Sequence, residues 1–178
     1  MFVSFFNNQF QNNSKLSFQG KDGSIKYIGN TVVKSFHSER QQEFTTERDF
    51  LTFLTNAKFP NSPKFIKTEG NSITMEKISG QNLLDFLPAA TKEQILWTKE
   101  QILKVAKNLA KLGVFHNDLN RANIIIVKDT NNIPYKVVFL DFADAKKVKS
   151  LDTTQLADDM MYKKHLTPIL DVFLSKAK

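Results

Sequence analysis

Val114-Phe115-His116-Asn117-Asp118-Leu119-Asn120-Arg121-Ala122-Asn123-Ile124-Ile125-Ile126-Val127 sets a polar loop between two apolar runs, and positions 116–123 carry an imidazole, a carboxylate and three side-chain amides. One reading is an ordinary turn between strands, whose Asn and Asp side chains cap their own backbone. That job needs one or two such residues, whereas this loop concentrates His116, Asp118, Asn120 and Asn123. Eighteen residues past Asn123 a further apolar run, Val137-Val138-Phe139-Leu140, ends in Asp141-Phe142-Ala143. An acid closing a buried strand, beside a loop that already offers Asp and Asn, makes a set of hard oxygen donors. The two motifs in this order are far more specific than either alone.

The spacing H-x-D-x-x-x-x-N, followed by an apolar strand ending Asp-Phe-Ala, resembles the catalytic loop and the D-F-G of the protein-kinase-like superfamily. The resemblance implies an α+β fold, bilobal and protein-kinase-like, with a small antiparallel-sheet N-lobe and a truncated helical C-lobe. It also implies chemistry. Asp118 orients an attacking hydroxyl and accepts its proton, and Asn123 and Asp141 hold Mg2+. Asn120, also in the catalytic loop, stands where protein kinases usually carry a lysine for the γ-phosphate; either Arg121 substitutes or that contact is absent. By the same resemblance His116 braces the loop, which is what a satisfied core histidine would do as well.

A chain of 178 residues suffices for one domain, or for two small lobes sharing a cleft, with a sizeable core. Its 41% hydrophobic content and 16 Phe argue for a folded protein. There is no cysteine, which excludes disulfides and Cys-based zinc sites. His37, His116 and His165 are too scattered to suggest a metal cluster. The formal charge of +7 and pI near 9.5 bring an anionic partner into consideration: a nucleotide, an acidic protein surface, a membrane headgroup or a nucleic acid. The lysines are spread along the chain and no basic run alternates with aromatics, so a lysine-rich surface is the plainer reading and no nucleic acid is expected. The start, Met1-Phe2-Val3-Ser4-Phe5-Phe6, has no basic n-region and stops at Asn7, too soon for a signal peptide, and no stretch reaches transmembrane length.

Upstream of the loop, residues 7–14 are Asn- and Gln-rich and read as a flexible lead-in. Residues 14–18, 24–28 and 31–36 read as a three-stranded meander turned at Gly20-Lys21-Asp22-Gly23 and at Gly29-Asn30. The resemblance makes the first turn a degraded glycine-rich loop, with Gly20 and Gly23 near the ATP phosphates; an ordinary hairpin explains the same residues. Lys34 is either an outward residue of an alternating strand or, by resemblance, the lysine that pairs with the α- and β-phosphates. Residues 39–54 read as a helix with Glu47, Phe50, Leu51 and Leu54 on one face. An acid on an apolar face is costly unless paired, and the family supplies the lysine as its partner. Glu47 is the first choice, with Glu43 one turn earlier as its rival. After Phe59-Pro60-Asn61-Ser62-Pro63, strands at 64–67 and 72–75 flank Glu69-Gly70-Asn71. By resemblance Met75 backs the adenine pocket, the main chain from Glu76 to Ile78 meets the adenine edge, and Gln81, Asn82 or Asp85 reaches the ribose. Met75 is equally a core methionine.

Residues 83–87 read as a short helix closed by Pro88, and Thr91-Lys92-Glu93-Gln94 forms a capping box that opens a long helix bearing Ile102, Ala106 and Leu109, ended by Gly113. Trp97 belongs to the core or an interface. Strands at 124–127 and 136–140 form a hairpin that sets Asn123 near Asp141. Only 35 residues follow Ala143, with one helix capped at Asp152 and another opened by Thr167-Pro168. Asp158 or Asp159 either braces the catalytic loop or lies exposed.

The domain reading is a flexible leader at 1–13, an N-lobe at 14–78 and a truncated C-lobe at 79–178. Small atypical relatives, such as RIO-type, lipopolysaccharide-core and bacterial effector kinases, are the nearest in pattern. What they imply is an ATP- and Mg2+-dependent phosphotransferase, first a minimal Ser/Thr protein kinase, second a sugar or lipopolysaccharide-core kinase, third a non-catalytic pseudokinase that binds a partner. The missing activation segment leaves no phosphorylation switch, so the expectation is constitutive activity or activation by an acidic protein partner. The expected location is the cytoplasm, or a host cell reached as a secreted effector.

Overall fold

Glycines at 20, 23 and 29 separate short runs that include β-branched residues, and they set tight antiparallel hairpins. The computed structural model describes residues 17–20, 23–149, 152–163 and 166–177. In it β1 (Ser17–Gly20) pairs with β2 (Gly23–Ile28), Gly20 opposite Gly23, and β2 pairs with β3 (Thr31–Phe36), Ile28 opposite Thr31. The β2–β3 turn needs Gly29 at φ 56°, a conformation that costs glycine nothing. β4 (Phe65–Glu69) and β5 (Ser72–Glu76) make a further hairpin, and the sheet runs β1-β2-β3-β5-β4. The first strand begins in the described chain at Ser17 and reaches Gly20, two residues beyond the reading of 14–18. Residues 14–16 and the 1–13 leader lie outside the described residues.

A 3-10 turn (Ser38–Arg40) leads into α1 (Gln41–Asn56), whose buried stripe is Phe44, Glu47, Phe50, Leu51 and Leu54. This stripe packs against β4 and β5, and the Phe36 and Phe44 rings meet edge to face at 5.7 Å. Four apolar residues and one acid make the face; the acid therefore needs a partner inside the protein.

Residues 77–80 carry the chain into the second half, where β6 (Gln81–Asn82) joins α2 (Leu83–Phe86), capped by the Asn82 side chain accepting from the Asp85 amide. Pro88 does not simply stop this helix. It sits at the start of a 3-10 turn (Leu87–Ala89), where its fixed φ and missing N–H are tolerated. Thr91 and Gln94 form the capping box of α3 (Lys92–Lys111). β7 (Val114–Phe115), β8 (Ile124–Lys128), β9 (Pro134–Phe139) and β10 (Lys146–Lys147) follow, in sheets ordered β6-β8-β9 and β10-β7. α4 (Thr153–Lys163) and α5 (Leu166–Lys176) pack on α3.

The core of this half gathers Leu83, Phe86, Leu87, Ile95, Ile102, Leu109, Leu119, Phe139 and Phe142, all fully buried. Each contributes roughly 1.5–3 kcal/mol by leaving water. Trp97 is half-buried against the rim of this core. Asp159 is exposed and accepts from Gln155 on its own helix. Asp159 thus follows the exposed reading, and Asp158 is half-buried on the same helix. No described helix is long and apolar enough to cross a membrane.

Gly80 lies in close contact with β8. A Cβ there would lie 2.5 Å from Ile125 Cγ2 and 2.7 Å from the Ile126 carbonyl oxygen, and a backbone oxygen on a central strand cannot step aside. Gly80→Ala is expected to destabilise the protein by about 1–3 kcal/mol, read as a lower urea midpoint with an unchanged slope.

Candidate functional site

The loop between β7 and β8 is a lattice of short-range hydrogen bonds. Asn117 takes φ 64°, a left-handed turn that Asn tolerates, and the Asp118 amide donates to the His116 carbonyl at 2.8 Å. Asn120 caps the 3-10 turn Arg121–Asn123: its Oδ1 accepts from the Ala122 and Asn123 amides at 2.9 and 3.3 Å. Its other end donates to Asp118 Oδ2 at 3.0 Å, and Asn123 Nδ2 donates to the same oxygen at 3.0 Å. Two amides therefore fix the plane of the Asp118 carboxylate. Asn123 also donates to the Asp118 carbonyl at 2.9 Å, which leaves its Oδ1 turned away from the loop as an oxygen donor.

His116 is fully buried, its ring 4.7 Å from Phe142 and 5.9 Å from Phe139. Its Nε2 lies 2.9 Å from the Leu140 carbonyl; a carbonyl only accepts, so this nitrogen carries the proton. Burial lowers its pKa, and the neutral ring ties the loop to the end of β9. Nδ1 is buried without a partner among the described residues. The histidine cannot touch an acceptor; it positions the loop. The Leu140 amide adds a second tie, donating to the Asn123 carbonyl at 2.8 Å. Asp141 follows at φ 61°, half-exposed at the mouth of the site.

Across the cleft, Lys34 Nζ lies 2.6 Å from Glu47 Oε2 and 2.8 Å from Asp141 Oδ1. Glu47 is the lysine's partner; Glu43 is turned to Arg40 at 2.6 Å on the surface. Burial works to lower the Lys34 pKa, but the charges of Glu47 and Asp141 outweigh it and raise the pKa. Burial likewise pushes Asp141 up, and Lys34 more than offsets this, holding the carboxyl below its ordinary value. Glu47, only 1% exposed, behaves differently: burial dominates and lifts its carboxyl to about 7 despite the lysine.

The residues expected around a nucleotide divide into placed and unplaced. Gly20 and Gly23 face each other across a two-residue turn, and a Cβ on Gly23 would collide with the Ser35 carbonyl; close strand packing alone demands that glycine. The turn itself, Lys21-Asp22, lies outside the described residues. Met75 is buried in β5 opposite Val32. The Glu76 amide donates to the Lys64 carbonyl and the Lys77 amide to the Asn30 carbonyl. Ile78 is half-buried in the crossing segment. Gln81, Asn82 and Asp85 bond to one another around the start of α2.

Asn123 and Asp141 each carry a side-chain oxygen donor and are linked through the Leu140 amide bonded to the Asn123 carbonyl, and no described cluster of three or more His, Cys, Asp or Glu could hold a metal by itself. That donor set fits Mg2+, which commonly takes one or two protein oxygens and completes its shell with phosphates and water.

Two contributors escaped the sequence reading. Asn61 donates from Nδ2 to the Val137 carbonyl at 2.7 Å and accepts from the Phe139 amide at 2.9 Å, clasping β9 from the segment after α1; its only signal was a polar residue between prolines. Lys147 sits 3.1 Å from the Phe53 ring centroid, and nothing in its local sequence marks it.

A family model described as RIO domain matches residues 6–166. Curated protein sequences yield no match. Among solved structures, the chain is similar to the Rio2 kinase-ADP/Mg2+-phosphoaspartate complex from Chaetomium thermophilum, with a TM-score of 0.67 and 15% identity over 92% of this chain. The match covers 55% of that structure's chain. At this identity the likeness concerns the fold.

The raised Glu47 pKa has a measurable consequence. A carboxyl whose pKa is higher folded than unfolded binds more protons in the native state, so its contribution to stability is greatest at low pH and declines as pH rises from its unfolded value towards 7. His116 acts in the opposite sense, since burial favours its neutral form. The difference between Glu47→Gln and the parent isolates the carboxyl. That variant is expected to melt close to the parent near pH 5 and to gain on it by on the order of 5 °C by pH 8, followed by calorimetry.

Proposed function

Because the chain belongs to the RIO domain family, within the protein-kinase-like superfamily, we propose that it is an ATP-dependent phosphotransferase that moves the γ-phosphate to a Ser or Thr hydroxyl of a protein. The observation that carries this reading is the convergence of Lys34, Glu47 and Asp141 from three separate elements onto one ion cluster, with the loop in which two amides orient Asp118 bonded to Leu140, the residue before Asp141. A protein that used this fold only as a docking surface would have no need to keep all of these groups in register.

In this reading Lys34, steadied by Glu47, orients the α- and β-phosphates, and its ammonium retains donor capacity beyond the two carboxylates. Asn123 and Asp141 would hold Mg2+, which when bound would supply charge neutralisation on the transferring phosphates. The Asp118 carboxylate aims the acceptor oxygen in line with the γ-phosphorus and takes the hydroxyl proton as the β–γ bridging bond breaks and ADP leaves. Asn120 acts through Asp118, not on the γ-phosphate. Most of the rate comes from positioning and fixed charge, as is general for phosphoryl transfer.

Asp118→Ala is expected to lower transfer from labelled ATP to a protein acceptor by about 10²–10⁴-fold while Mg·ATP affinity stays within about twofold of the parent, because the side chain serves the acceptor. Turnover at the parental rate would remove the assignment. Asp141→Ala is expected to weaken Mg·ATP binding roughly tenfold or more by calorimetry, and label appearing only in a lipopolysaccharide fraction would move the acceptor from protein to sugar.

A further inference from the structure

Glu47 can meet Lys34 only if α1 stays docked, and residues after the Asp-Phe-Ala segment hold it. β10 returns to the strand that feeds the catalytic loop: Lys146 lies opposite Phe115, Lys147 opposite Val114, and the Val148 amide donates to the Gly113 carbonyl at 2.9 Å. From that fixed base the Lys147 side chain crosses to α1. Its Nζ lies 3.1 Å from the Phe53 ring centroid and 5.7 Å from that of Phe50. Phe50 is one turn beyond Glu47 on the same buried stripe, and Phe53 flanks it at the rim. The Phe142 amide, five residues before Lys147, also supports the Glu47 carboxylate.

We propose that Lys147 is a positioning residue, its ammonium seated on Phe53 and Phe50 so that α1 is fastened to β10 and Glu47 is kept within reach of Lys34. An ammonium over aromatic faces is an attraction of useful size even near the surface, and here it joins two elements that share no hydrogen-bonded strand. The alternative for such a lysine is a methylene stem that merely covers apolar rings, its charge left in water. The two differ in what a neutral stem of similar length would do. In a positioning role the charge itself matters, and its removal loosens the helix that bears Glu47 without unfolding the protein.

The kinetic arm of the test rests on the phosphotransferase reading; the structural arm does not. Lys147→Met keeps the stem and removes the charge, and Lys147→Arg keeps a cation that stacks on aromatic faces. Amide hydrogen exchange across residues 41–56 of the full chain is expected to quicken roughly fivefold in Lys147→Met, the equivalent of about 1 kcal/mol, and to stay near parental in Lys147→Arg. The transfer rate is expected to fall by a similar factor in Lys147→Met, and Lys147→Met combined with Phe53→Leu to cost less than the sum of the two singles. Unchanged exchange in Lys147→Met, an arginine variant as loose as the methionine one, or additive losses in the double variant would each overturn the proposal. Should the chain transfer no phosphate to any acceptor, the exchange of 41–56 still decides whether Lys147 holds α1.

Discussion

A lysine withdrawn from water between two carboxylates is the constraint on which the rest depends. Lys34 comes from β3, Glu47 from α1 and Asp141 from the end of β9, and they meet at 2.6 and 2.8 Å. Removing the lysine leaves its acids without a counter-charge in a poorly polarisable interior, at a cost of about 3–5 kcal/mol. The sheet, the helix and the hairpin of the second half must therefore be in place together, or none of these charges is tolerable. The cluster carries two acids and one base, so it is a site that favours further positive charge at its open edge, where Asp141 is half-exposed.

The second organising device is a set of amides. Asn120 spends its carbonyl on the Ala122 and Asn123 backbone and its amide nitrogen on Asp118. The residue that departs from the lysine of protein kinases is thus occupied as a cap and as an aiming device. Asn123 holds the same carboxylate oxygen and is tied through its carbonyl to Leu140. His116 completes the frame from below, neutral and dry, bonded to the Leu140 carbonyl. Asp118, Asn120, Asn123 and His116 are thus cross-tied by hydrogen bonds, which makes this part of the loop a rigid piece of the scaffold, able to position a reacting group without reorganising.

The ties between the halves of the chain are few and specific. Asn61 clasps the backbone of β9, Gly80 lets the crossing segment lie against β8, and Lys147 reaches from β10 to the rings of α1. Asn61 and Gly80 lie outside the strands and helices, and Lys147 reaches out from β10 by its side chain alone, so each tie depends on a particular side chain, or on the lack of one. They are the places where the approach of the two halves can be tuned without changing a core residue.

Two short motifs and the superfamily they resemble were enough for the fold class, and local spacing was enough for the hairpins and the capping box at Thr91. Strand and helix periodicities, glycine turns and the order of two short motifs are local properties, and local properties are what a sequence displays. The choice between Glu43 and Glu47 was not local. Both lie on one stripe, and only the docking angle of α1, set by packing of Phe44, Phe50, Leu51 and Leu54, turned Glu47 to Lys34 and left Glu43 with Arg40. The aiming of Asp118 by two amides, the neutral tautomer of His116 and the seat of Lys147 on Phe53 are likewise tertiary facts. Each depends on distances between elements far apart in the chain, set by how the side chains of the whole core fill space, and no spacing within the sequence encodes those distances.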